Sequence, residues 1–73
     1  MRAKFRVESV TDFGDQKEVK LQAVMCGSQE NQDFHSYTPR GALQMVIDKS
    51  GAMDYFTPGK EYYLDFTEAK ENA

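Results

Sequence analysis

Hydrophobic and polar side chains alternate with period two in four stretches of this chain, and that alternation predicts its strands. In residues 3–9, Ala3, Phe5 and Val7 share one side while Lys4, Arg6 and Glu8 share the other, the pattern of a strand with one buried face. Residues 18–26 repeat it with Val19, Leu21, Ala23 and Met25 inward. Val24 and Cys26 then fall on the outer side, which implies that another element covers the far end of this strand. Residues 43–48 set Leu43, Met45 and Ile47 against Gln44, Val46 and Asp48, and residues 61–67 set Tyr62, Leu64 and Phe66 against Tyr63 and Asp65.

Turn chemistry separates these runs. Residues 11–16 contain Asp12, Gly14 and Asp15, and read as a hairpin connection because Gly tolerates positive φ and Asp bonds its own nearby backbone. Residues 27–33 are polar and open on a glycine, so they read as a loop. Phe34, His35, Ser36, Tyr37 and Thr38 make a short further strand before the Pro39-Arg40-Gly41 turn. After Asp48-Lys49-Ser50-Gly51, residues 52–56 have room for one α or 3₁₀ turn that drops Phe56 and Met53 onto an open barrel end, and Pro58-Gly59 forces the next turn.

Short strands, tight turns and one helical turn ahead of the last strand predict an all-β, or mostly β, fold: a small five-stranded antiparallel barrel. An SH3-like layout is favoured over an OB-like one, which places a real helix between its third and fourth strands and usually needs a longer chain. Residues 1–67 form a single domain in this reading and residues 68–73 a frayed tail. At 73 residues the chain buries only roughly 60% of its unfolded surface. With 40% hydrophobic residues, five Phe and four Tyr, it still has the material for a core.

Charge adds a pairing hypothesis. Nine Lys and Arg against twelve Asp and Glu give a net charge of −3, which offers no global attraction to a polyanion. The start of the chain is basic (Arg2, Lys4, Arg6) and the end acidic (Glu61, Asp65, Glu68, Glu71). Pairing the first strand with the last would set Lys4 and Arg6 beside Glu61 and Asp65, each cross-strand pair contributing about 0.2–1 kcal/mol.

No constellation for catalysis is visible. Cys26 is the lone cysteine and His35 the lone histidine, so neither an intramolecular disulfide nor a zinc site can be assembled, and no catalytic, metal-binding or cofactor-binding residue is assigned. A Cys26–His35 dyad would lack an orienting third group, and Cys26 reads better as a small buried or half-buried apolar residue. The glycines punctuate turns and open no phosphate-binding motif. No stretch approaches a membrane span or a signal-peptide apolar region. The expectation is a non-enzymatic protein without cofactors, in a reducing cytoplasm.

What remains is surface. Phe34, His35, Tyr37 and Arg40 combine aromatic faces with a cation near a proline turn, and Tyr63 points outward with its polar tip free for a partner. These five residues are the candidate interaction surface. Two readings compete. One is protein–protein contact, through this surface or an exposed strand edge, with self-association as its simplest form. The other is single-stranded nucleic-acid binding, with Phe34, Tyr37 and Tyr63 stacking on bases and Lys4, Arg6, Lys20 and Arg40 touching phosphates.

The run Tyr37-Thr38-Pro39-Arg40-Gly41-Ala42-Leu43, with Phe56-Thr57-Pro58-Gly59-Lys60-Glu61-Tyr62-Tyr63-Leu64-Asp65-Phe66 further on, resembles a group of small uncharacterised proteins of tailed bacteriophages and prophages. The resemblance extends over most of the chain. It implies an accessory phage product made in the host bacterial cytoplasm that binds a host or phage macromolecule. It carries over no functional residue.

Overall fold

The computed structural model describes residues 1–48 and 54–70. Four strands, β1 (Arg2–Asp12), β2 (Gln16–Ala23), β3 (Ala42–Asp48) and β4 (Glu61–Asp65), form one antiparallel sheet in the order β3-β2-β1-β4. A single helix, α1 (Gln29–Tyr37), lies between β2 and β3 in the chain. The alternating runs thus become strands where expected, and first and last strands do pair, Arg6 opposite Glu61 and Arg2 opposite Asp65.

The sheet is open. The expected five-stranded barrel, SH3-like or OB-like, is not formed: β3 and β4 are opposite edges, and the molecule is a slab of 37 × 35 × 16 Å. The missing strand is residues 34–38, of which 34–37 belong to α1 and Thr38 is its C-cap. Their five residues are too few for alternation to outweigh a good helix start. Ser28 is the N-cap, its side chain accepting from the Asn31 N–H at 3.0 Å, and Glu30 adds a negative charge in the first turn, both of which favour a helix N-terminus.

Ala3, Phe5, Val7, Val19 and Leu21 form the buried core on one face of the sheet. Register explains how β1 keeps this face over eleven residues. The pairing slips between Val7 and Ser9, so Glu8 is the extra residue of a bulge and Val10, not Ser9, lands opposite Val19. Leu43, Met45 and Ile47 extend the same face along β3, half-buried, as do Tyr62 and Leu64 along β4. Phe56 of the β3–β4 connection packs against this core. Lys17, on the same face, reaches Asp54 of that connection at 2.8 Å.

Three inward or buried assignments fail at strand ends. Met25 is 66% exposed and Cys26 is exposed, because β2 ends at Ala23 and the pleat ends with it. Phe66 is 59% exposed because β4 stops at Asp65. Val24, assigned to the outer face at a point that needed a cover, is buried. The helical turn expected over residues 52–56 is represented by a turn at Asp54 and Tyr55, whereas Ala52 and Met53 lie outside the described residues. Residues 66–70 carry no regular structure, and the rest of the expected tail lies outside the described residues.

Gly41 is fixed by packing. A Cβ there would stand 2.7 Å from Cζ of Phe5 and 3.6 Å from the Ala23 methyl. Phe5 is buried in the core. Gly41→Ala is therefore expected to lower stability by about 1–3 kcal/mol through overpacking, measured as a drop in the urea midpoint; an unchanged midpoint would show that the ring relaxes freely.

Candidate interaction surface

The two faces of the sheet carry different chemistry. On the polar face β1 presents Arg2, Lys4 and Arg6 next to Asp65, Tyr63 and Glu61 of β4, and α1 lies over this row. Glu30 accepts from both the Lys4 ammonium and the Tyr63 hydroxyl, the latter at 2.8 Å. One turn on, the Phe34 ring stacks at a tilt on Tyr63, 5.9 Å between centroids. The i, i+4 spacing of Glu30 and Phe34 brings them to one side of the helix.

Glu61 is the most connected carboxylate. Arg6 donates to it at 2.7 Å, Lys4 lies 3.5 Å away, and the Asn31 amide donates to it at 3.0 Å and to the Cys26 carbonyl at 2.9 Å. Asn31 is 2% exposed, so these two bonds satisfy a donor that water does not reach. Its Oδ1 has no protein partner. The Arg6 hydrogen bond, with help from Asn31 and Lys4, holds the Glu61 carboxyl below its ordinary range. Lys4 and Tyr63 do the same for Glu30, and Arg2 for Asp65. The Arg2 guanidinium also lies over the Tyr63 ring, 4.7 Å from its centroid.

The expected surface residues are therefore divided. Phe34 and Tyr63 come together, but against each other, with Tyr63 still 49% exposed. His35 is half-buried with Nδ1 lacking a partner, and shares a shallow groove with Arg40, Pro39, Gln22 and Met25. Tyr37 is 83% exposed at the end of α1. Among the candidate phosphate contacts, Lys4 and Arg6 are paired as above and Lys20 lies 3.8 Å from Glu18. Arg40 has no ion-pair partner among the described residues. No group of three His, Cys, Asp or Glu among the described residues could hold a metal ion.

The apolar face carries what sequence reasoning missed. Leu43, Met45 and Leu64, expected in a barrel interior, instead line an open groove of about 430 Å³ together with Leu21, Tyr55, Phe56 and Tyr62. The three rings pack at 5.0–5.5 Å, and the Tyr62 hydroxyl bonds the Tyr55 carbonyl and the Thr57 N–H. Tyr55 is 63% exposed. The available signal was the strand count: four strands cannot close around a core, so one face had to stay open.

Comparison with protein-family models, with curated proteins and with solved structures gave no match. Among the described residues no helix is long and apolar enough to cross a membrane.

The depressed carboxyls set the acid response. Their folded-state values lie below the unfolded ones, so their contribution is complete above about pH 5 and is lost as pH falls through about 4 and below. Urea midpoints are expected to hold steady from neutral pH to about 5 and then to fall. In Glu61→Gln the fall should be shallower. Equal acid dependence of the two proteins would contradict the role of Glu61.

Proposed function

We propose that this chain is a phage-type accessory protein that works by binding another protein and performs no chemistry of its own. The observation that carries the reading is the open sheet: a half-exposed apolar face lined by Leu43, Met45, Tyr55 and Leu64 that ends on an edge strand. Exposed apolar patches of this kind, with a tyrosine at the rim, suit protein contact. The phage resemblance of residues 37–43 and 56–66 supplies the setting, a host bacterial cytoplasm.

Nucleic-acid binding remains the second reading, resting on exposed Tyr37 and on Arg40, which has no ion-pair partner among the described residues. It has less support because Lys4, Arg6 and Lys20 already face carboxylates, which reduces the counterion release that drives such binding.

The two readings separate in one set of measurements. The protein, immobilised and exposed to bacterial host lysate, is expected to retain a stoichiometric partner, identified by mass spectrometry and then purified. Titration of that partner should show about tenfold weaker binding to Tyr55→Ala, a loss typical of an aromatic contact residue. No stoichiometric partner, together with salt-sensitive binding of labelled single-stranded oligonucleotides that Arg40→Ala abolishes, would overturn the protein-contact reading in favour of the second.

A further inference from the structure

We propose that the free edge of β3 pairs antiparallel with β3 of a second copy, joining two sheets into one of eight strands about a two-fold axis at Met45. This rests on the protein-contact reading above and adds to it a second copy of the chain at the sheet edge beside the groove.

The ladder determines which groups are free. The Ala23 N–H donates to the Gly41 carbonyl at 2.9 Å, so these two residues form a hydrogen-bonded pair. Such pairs alternate along an antiparallel ladder, which makes Leu21/Leu43, Val19/Met45 and Lys17/Ile47 the others. The N–H and C=O groups of Ala42, Gln44 and Val46 consequently point away from β2, along an edge with no neighbour among the described residues. Residues 42–47 contain no charge and no proline, so up to Asp48 at its end the edge lacks the usual devices that block strand addition.

The same parity admits a register centred on Met45. Centring the pair on Met45 sets Gln44 opposite Val46 of the other copy, both with outward backbone groups, so each can exchange two hydrogen bonds. Leu43 then faces Ile47 of the second copy, and the apolar faces of the two sheets run on as one.

The other edge is unsuited to this. The Val7 N–H donates to the Lys60 carbonyl and the Phe66 N–H to the Met1 carbonyl, which by the same alternation leaves Glu61, Tyr63 and Asp65 outward on β4. Pairing β4 with its copy about Tyr63 would set Glu61 against Asp65, like charges directly opposite. Pairing β3 with β4 of another copy would be head-to-tail and would not close. β3 on β3 gives a closed seam in which no two charged residues stand opposite each other.

The test is the mass in solution and the register of the seam. Light scattering on the eluting wild-type protein should give twice the 8.4 kDa of one chain. Val46→Pro, which removes only an outward N–H, should halve that mass with the circular dichroism unchanged. Gln44→Lys with Val46→Lys, which opposes lysines across the seam, should do the same if the proline variant does not fold. In a Cys26→Ser background, Met45→Cys should cross-link to a covalent dimer on mild oxidation, since residues at the axis stand about 4.5 Å apart at Cα. Leu43→Cys should cross-link only when mixed with Ile47→Cys. A wild-type monomer at all concentrations, or Leu43→Cys cross-linking alone, would overturn the seam. A monomer that still binds a lysate partner with the Tyr55 dependence above would overturn the seam alone, whereas one that binds only oligonucleotides would overturn the protein-contact reading as well.

Discussion

The carboxylate of Glu61 is where the sheet and the helix of this molecule are joined. It sits on β4, accepts from Arg6 and lies beside Lys4 on β1, and accepts the amide of Asn31 from α1. Each of these contacts is ordinary alone, and an exposed ion pair contributes little. Here the group is about three-quarters covered, and one of its donors is a buried side chain. Removing the carboxylate would leave the Asn31 amide with only the Cys26 carbonyl, and an unpaired buried donor costs about 1–3 kcal/mol. The pairing of first strand with last and the docking of the helix are thus one arrangement.

That arrangement decides which face of the sheet is left open. The helix is held to the charged row, so the polar face is the one with a cover. The apolar face relies on the β3–β4 connection, whose Phe56 packs against its core and whose Asp54 is tied to Lys17. Its margin along β3 stays half-exposed. The proposed protein contact draws on this asymmetry: what the described residues leave exposed along β3 is hydrocarbon and outward backbone, which suit another protein better than a small substrate or a polyanion.

Most strands were legible because their side chains alternate between a wet and a dry face, and the bulge at Glu8 disturbs only a single position of that pattern. The pairing of β1 with β4 was legible from charge, although Asp65 is held by Arg2 and not by Lys4 or Arg6. The helix was not, for a physical reason. Its buried residue is a polar asparagine, and only Phe34 and Tyr37 are large and apolar, so no apolar stripe of period 3.6 exists to be read. Ser28 before Glu30 was the one local sign. Reading residues 34–38 as a strand then supplied the fifth member of a barrel, and the half-exposed residues of β3 were placed inside it. Phe34 and Tyr63 were both picked out as surface; that they pack on each other depends on a contact across 29 residues of chain, which no local pattern carries.

A double-mutant cycle between Asn31 and Glu61 tests the junction most directly. Urea unfolding of Asn31→Ala, Glu61→Ala and the double variant should reveal a coupling between about 0.5 and 3 kcal/mol, the range for residues in one hydrogen-bonded network. Losses that simply add would contradict it, and would mean that helix and sheet are held together by something other than this carboxylate.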